Sequence, residues 1–281
     1  MIFFVRLSSL NAQTDYCFSQ QLQNSLLQDS SYYGEYLEME EDTRHRMEDI
    51  LAAKRAGNPI AEDPLVIPVV VHIVHATNDA TPGTGSNISD AQVYAALNHL
   101  NMAYANMVFN QTSVNTNISF CLSTKDSQGA PSSGINRIPS DQFTDLLINT
   151  HDVPGVPGPN SMKAVTAPAS QWSRFDYLNI WVVREICEYS GVNCGIVGYA
   201  YFPNSHGEWW DGLVIEAGFF GVSQTSDRVA VHEVAIILTC STLLKVDAPT
   251  ITASLTATAF AIRLPKTRSL SVELVIPVAP T

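Results

Sequence analysis

The chain has 281 residues and a formal net charge of −12 at pH 7, a length that suits one large domain with extensions. This acidity argues against a nucleic-acid partner and against binding to anionic membrane surfaces. No stretch approaches the roughly 18 apolar residues that a membrane-spanning helix requires. Composition therefore favours a globular protein with no membrane span, whose acidity serves solubility.

The first thirteen residues resemble the end of a secretory signal peptide. An apolar stretch, Met1 to Leu7, is followed by a small residue, Ala12, near which cleavage is expected. The basic region that normally precedes the apolar part is nearly absent. We interpret residues 1–13 as a signal-peptide remnant and predict a secreted or extracellular protein; the alternative is an ordinary apolar N-terminus.

Residues 14–63 are predicted to form a helical N-terminal extension. The stretch from Glu35 to Arg55 contains many acidic residues together with Arg, Met and Leu, and has neither Gly nor Pro. Gly57-Asn58-Pro59 is expected to end the helix. Two interpretations remain open: a pro-segment that covers the cleft of a secreted protease, or an extension with no regulatory role.

A buried strand is predicted at residues 65–76, where an aliphatic run is interrupted by His72 and His75. Because side chains alternate faces along a strand, these two imidazoles point to opposite sides and cannot serve one site. We therefore interpret both histidines as structural. The next predicted helix begins at Ser89, which with Gln92 has the spacing of a capping box.

The helix is predicted to continue to about Met107, because apolar residues recur at helical spacing. Two strands follow, at Ile118–Leu122 and at 134–138, and Cys121 in the first is expected to be a small core residue. Residues 151–160 carry three prolines and two glycines and are predicted to form a loop. Further on, Cys187 and Cys194 flank a turn-rich hexapeptide that a disulfide can close; the alternative is two unpaired thiols.

The candidate site is the sequence Val231-His232-Glu233-Val234. In the H-E-x-x-H pattern, histidines at i and i+4 lie on one helical face and bind one zinc ion, and the glutamate is the general base. Here the position of the second histidine holds Ile236. A third ligand six residues further on falls at Thr242. The pattern therefore begins and then breaks off.

Four apolar stretches precede the His-Glu pair: 67–75, 178–183, 197–203 and 211–215. In this order they resemble the pappalysin-like metallopeptidases of the metzincin clan, the pregnancy-associated plasma protein A type, over residues 64–234. The resemblance implies an α/β (α+β) fold with a twisted mixed sheet, a backing helix and an active-site helix. It also implies a zinc cofactor held in part by His232, Glu233 as catalytic base, and a protein or peptide substrate.

The break after Val234 is consistent with a lost nucleotide. Codons permitted for residues 235–244, regrouped one base earlier, can be read as G-H-Y-L-N-L-L-H-T-F, which restores histidines at 236 and 242. Residues 235–281 also contain no Gly, Asn, Tyr or Trp, although about three glycines are expected in that length. We interpret this segment as an aberrant, out-of-frame tail; the alternative is a natural linker with a terminal strand.

The primary hypothesis is therefore a secreted zinc endopeptidase whose incomplete motif leaves this chain inactive or impaired. The alternative is a non-catalytic secreted binding or adhesion module on the same scaffold. A serine hydrolase is disfavoured because the chain has no G-x-S-x-G motif. His206 is a weaker ligand candidate, since no spacing rule connects it to His232. Trp209 and Trp210 either line the cleft or cover the sheet.

Overall fold

The computed structural model describes residues 18–57, 64–107, 115–147, 172–187, 194–208 and 210–238. The signal peptide predicted at 1–13, the loop predicted at 151–160 and the tail after residue 238 lie outside these ranges. The ligand position at Thr242 lies outside them as well.

Three helices and one strand make up the first part of the described chain, and seven strands then precede the last helix. The helices are α1 (Ser19–Leu26), α2 (Ser30–Arg55), α3 (Asp90–Tyr104) and α4 (Arg228–Leu238). The strands are β1 (Leu65–His75), β2 (Ile118–Leu122), β3 (Ile135–Pro139), β4 (Asp145–Leu147), β5 (Leu178–Val183), β6 (Glu185–Cys187), β7 (Gly198–Ala200) and β8 (Leu213–Glu216). Short 3-10 turns occupy Pro203–Ser205 and Ala217–Phe219.

The main sheet has the strand order β2-β1-β5-β8-β7, and β3 pairs with β1 beyond the end of β2. All its pairings are parallel except that of β7 with β8, which is antiparallel. A two-stranded parallel sheet of β4 and β6 lies beside it. The predicted α/β fold with a twisted mixed sheet is confirmed.

The core lies on both faces of the sheet, which is why β1 and β5 are nearly continuous apolar runs. On one face, Val69, Val71 and Ile73 of β1 belong to a cluster that includes buried residues of α3 and α4. On the other face, Val74 belongs to a cluster with Trp181 and with Leu22 of α1. The backing helix and the site helix therefore share one face, and α1 covers part of the other.

The helix α3 begins at its predicted cap but uses it differently. Ser89 accepts a hydrogen bond from the Gln92 backbone N–H at 3.2 Å, as an N-cap does. The Gln92 side chain does not return to Ser89, however; its Nε2 donates to the carbonyls of Ala217 and Phe220. The predicted capping box is therefore only half formed. The helix also ends at Tyr104, three residues short of Met107, which is exposed.

The prediction for Cys121 is wrong: its side chain is exposed. Along β2 the side chains of Ile118 and Phe120 point into the core, so alternation directs Cys121 to the opposite side. Because β2 is at the edge of the sheet, that side is not covered.

The predicted helix from Glu35 to Arg55 is confirmed, and it begins earlier, at Ser30. Ion pairs at i,i+3 and i,i+4 spacing, such as Arg44 with Glu41 and Glu48, line its solvent face. No helix within the described ranges combines the length and the apolar character that crossing a bilayer demands.

Candidate active site at helix α4

The helix α4 holds the His-Glu pair, and the two side chains of this pair differ in how deeply they are buried. Successive residues on a helix are about 100° apart, so Glu233 is completely buried while His232 is half-buried. Ile236, one turn after His232, is 2 % exposed and belongs to the apolar cluster behind the sheet. The position of a second imidazole is therefore filled by an aliphatic side chain that packs in the core.

Close packing brings α4 against the edge strand β7. A Cβ added to Gly198 would lie 3.0 Å from Val229 Cγ1 and 3.4 Å from Glu233 Cγ. A side chain at this position would require these neighbours to shift by a few tenths of an ångström. Glycine inside a strand often marks such a close approach, and here it sets the distance between β7 and the Glu233 side chain.

The Glu233 carboxylate is covered by the N-terminal segment of the chain. Ser19, the first residue of α1, donates from Oγ to Glu233 Oε2 at 2.9 Å. The same Oγ accepts a hydrogen bond from the Ala200 backbone N–H of β7 at 2.8 Å. One hydroxyl therefore connects the N-terminal segment, the edge strand and the candidate base.

Asp227 and the helix α3 position the start of α4. Asp227 is 1 % exposed; its Oδ2 contacts His99 Nδ1 on α3, and its Oδ1 accepts the Gly221 backbone N–H at 2.7 Å. Gly221 has φ +78°, and a Cβ there would lie 1.8 Å from the Gln92 carbonyl oxygen. Because α3 packs so closely on this loop, the start of α4 is fixed in place. His232 and Glu233 follow about one turn later on the same helix.

Replacing Asp227 by Asn is expected to lower the free energy of unfolding by about 1–3 kcal/mol, because a buried charge-assisted hydrogen bond to His99 is weakened. Urea titration followed by circular dichroism measures the change. The matched control is Asp42→Asn, which removes an exposed i,i+4 pair with Arg46 and is expected to cost about 0.5 kcal/mol or less. Equal costs for the two variants would contradict this role of Asp227.

The predicted disulfide between Cys187 and Cys194 is present. Next to it, the Ile186 backbone N–H donates to Glu216 Oε1 at 2.8 Å, which joins β6 to the end of β8. Burial raises the pKa of Glu216 to about 7, and the nearby Glu185 charge acts in the same direction.

The residues that the structure describes do not fit a catalytic zinc ion. Within the described ranges, the group of three potential ligands that lie close together is Glu185, Cys187 and Cys194. The two sulfurs of this group form the disulfide and are not thiolate ligands. His232 belongs to no such group in the described part of the chain, and a catalytic zinc normally needs three protein ligands.

His206, the weaker ligand candidate, has other partners. Its Nδ1 lies 3.0 Å from Asp211 Oδ2, and its ring meets that of Phe175 edge-on at 5.7 Å between centroids. The ring is therefore held between the end of its own loop and the segment that precedes β5. Trp210 packs against the apolar cluster that includes Trp181, so it covers the sheet; Trp209 lies outside the described residues.

Sequence reasoning missed Ser19, which contacts Glu233, and the pair of Asp227 and His99 at the start of α4. These residues carry no local signal, because their partners are distant in the chain: Ser19 and Glu233 are 214 positions apart. Gly198 is the exception, since an isolated glycine within an apolar strand is a recognisable sign of close backbone approach.

No protein-family model matches the chain, and no curated protein matches it. Among solved structures it is similar to a promirolysin mutant from Tannerella forsythia, with 24 % identity, a TM-score of 0.49, and coverage of 69 % of this chain and 62 % of that chain. A mirolysin in complex with a small compound shows 27 % identity, a TM-score of 0.48, and 63 % coverage of each chain.

A third similar structure is mature mirolysin from Tannerella forsythia in complex with a cleaved peptide. Its identity to this chain is 26 %, its TM-score is 0.49, and the alignment covers 64 % of each chain. The present chain thus spans less than two thirds of the length of each of these three proteins.

Proposed function

We propose that this chain has the scaffold of a secreted, pappalysin-like zinc metalloendopeptidase whose metal site is incomplete, so that peptide-bond hydrolysis is lost or impaired. The observation that carries the proposal is the occupant of the second ligand position. Ile236 is 2 % exposed and lies in the apolar core one turn after His232. The helix therefore offers one imidazole where the pattern requires two.

The chemistry that remains is that of a single base beside an edge strand. The Glu233 carboxylate lies between α4 and β7. The Ser19 hydroxyl bonds both to this carboxylate and to the backbone N–H of Ala200 in β7. Once α1 no longer covers it, the edge of β7 offers backbone groups that are suited to pairing with an extended peptide. A protein or peptide is accordingly the ligand class that we assign to this edge.

For the chain as a whole we propose four parts. Residues 1–13 are a signal-peptide remnant, 14–63 a pro-segment, 64–234 the N-terminal part of the peptidase domain, and 235–281 an out-of-frame tail. Support for a pro-segment comes from α1, whose Ser19 covers Glu233. Support for secretion comes from the disulfide, because such bonds persist in oxidising compartments.

The second candidate function is a non-catalytic secreted module that binds a protein or peptide without cleaving it. The buried aliphatic residue at a ligand position favours it, because that residue removes a metal ligand while leaving the edge strand β7 in place. The two candidates differ in whether any metal-dependent activity remains.

The purified chain is expected to retain far less than one zinc ion per molecule after dialysis, since a single histidine does not replace the three ligands of a catalytic site. Elemental analysis measures this directly. His232→Ala is the matched control, because zinc bound elsewhere on the chain would be unchanged in that variant. About one tightly held zinc per molecule, lost in His232→Ala, would contradict the incomplete site and show that further ligands exist.

A further inference from the structure

The interface between α1 and the candidate site is built on a hydroxyl that is out of reach of solvent. Ser19 is 1 % exposed and Glu233 is 0 % exposed. The Ser19 Oγ donates to the carboxylate at 2.9 Å and accepts from Ala200 N–H at 2.8 Å. A buried carboxylate that loses a hydrogen-bond donor without regaining water is strongly disfavoured, so this contact opposes the departure of α1.

The backbone next to Ser19 also pairs with the edge strand. The Phe18 N–H donates to the Gly198 carbonyl at 3.4 Å, beside the bond from Ala200 N–H to Ser19 Oγ. Since β7 pairs with β8 through its other edge, Phe18 and Ser19 engage the edge that remains. They occupy the place that an extended peptide ligand would take.

Apolar contacts and a pair of hydroxyl groups continue the interface away from Glu233. Leu22 is 4 % exposed in a cluster that includes Tyr199, and Phe18 and Leu26 pack against that cluster. Further along, Tyr32 Oη lies 2.7 Å from Ser205 Oγ. The segment from Phe18 to Tyr32 is thus attached to the body of the protein at several points, with Ser19 nearest to the candidate base.

Resting on the pro-segment function proposed above, we propose that Ser19 is an autoinhibitory latch that needs no metal. Its partners are the Glu233 carboxylate and the Ala200 backbone N–H, and the neighbouring Phe18 N–H bonds to a backbone carbonyl. None of these contacts involves His232. The latch therefore holds α1 over Glu233 in a chain whose metal site is incomplete. It keeps the edge of β7 closed to other peptides until α1 is displaced.

The test is hydrogen–deuterium exchange of the full chain, read by mass spectrometry for residues 19–26 and, as an internal reference, for the fully buried strand β5. Ser19→Ala is expected to speed exchange of residues 19–26 by roughly ten- to hundredfold, because a hydrogen bond to a buried carboxyl group is lost. Ser19→Thr, which keeps the hydroxyl, is expected to restore most of the protection. The matched control is Ser25→Ala, the same change at an exposed position of the same helix.

Metal dependence is tested on the unaltered chain with EDTA and, separately, with one equivalent of zinc. Neither addition is expected to change exchange of residues 19–26. Loss of protection with EDTA, or equal exchange in Ser19→Ala and Ser25→Ala, would overturn the latch. Zinc content is measured separately. A complete metal site would contradict the proposed function, but it would leave the exchange result for Ser19 to be judged by itself.

If Ser19→Ala also loses protection in β5, a pair of changes at Glu233 decides the matter. Glu233→Gln keeps an oxygen that accepts the Ser19 hydroxyl and is expected to retain protection of residues 19–26. Glu233→Ala is expected to lose it. Equal protection of these residues in the two variants would show that Ser19 is not held by this contact.

Discussion

Restoring the reading frame after the Val234 codon, and continuing to the gene's own stop codon, is expected to yield a protein that holds one zinc ion and hydrolyses peptides. The double substitution Ile236→His, Thr242→His is expected to recover some zinc binding and little hydrolysis. The difference arises because ligands act only when neighbouring residues hold them in place, and small misplacements are costly in rate. Two point changes leave the rest of the tail unaltered.

The structure adds a specific obstacle for the double variant. Ile236 is 2 % exposed in the apolar cluster, so an imidazole placed there without its proper neighbours loses solvation. The restored frame also changes the residues after position 236, including Ile237 and Leu238, which pack against the same cluster. Elemental analysis and cleavage of a fluorogenic peptide measure the two outcomes, before and after brief proteolysis, because α1 covers Glu233.

Within the restored protein, Glu233→Gln is expected to lower the rate of hydrolysis by about 10²–10⁴-fold while zinc content is unchanged. The amide is nearly isosteric but cannot accept a proton, so the change separates proton transfer from packing. Full turnover by the Glu233→Gln protein would show that the base lies elsewhere. A gene whose codons cannot be regrouped to give histidines at 236 and 242 would remove the basis of the whole prediction.

Acidification from pH 6.5 to about 4 is expected to lower the free energy of unfolding by about 3 kcal/mol through His72 alone. This imidazole is 0 % exposed, and burial lowers its pKa to about 4, only partly offset by a hydrogen bond to Asn179. Between these pH values the unfolded chain binds a proton that the folded chain does not. Stability therefore falls as the pH falls through this window.

The hydrogen bonds around His72 fix which ring nitrogen carries the proton of the neutral imidazole. Asn179 Oδ1 accepts the Trp172 N–H, so the His72 Nε2 at 2.9 Å is a donor. The other nitrogen, Nδ1, lies 3.3 Å from the Asn136 side-chain amide, which donates to it. A proton on Nδ1 would face that donor and lose this bond.

The measurement is urea unfolding at several pH values for the unaltered chain and for His72→Gln, which cannot titrate. The two proteins are compared by the slope of their free energy of unfolding against pH. The absolute values are not compared, because the substitution also changes packing against Trp181 at every pH. Glu216 contributes with the opposite sign: its pKa is raised by burial to about 7, so its contribution is present below about pH 4.5 and is lost as the pH rises toward 7. Equal slopes in the two proteins would contradict the assignment to His72.

Local patterns in the sequence were enough to predict much of the scaffold. The aliphatic run of β1, the cap at Ser89 and the disulfide across a short loop all involve residues that are close together in the chain. The same holds for the break in the zinc pattern, since helical spacing alone defines where the next ligand must be. Each of these features depends on a period or a short distance, which a linear sequence displays directly.

Only the tertiary structure decided the surroundings of several side chains, and the candidate base is one of them. The side chain of Gln92 turns to the loop before α4 instead of closing a capping box, because that loop brings the carbonyls of Ala217 and Phe220 within 2.9 and 2.8 Å of it. Cys121 is exposed because its neighbours on β2 take the inward face. Ser19 and Glu233 are 214 positions apart, and only the fold brings them into contact. The N-terminal helix supplies the hydrogen-bond donor that a buried carboxylate normally has.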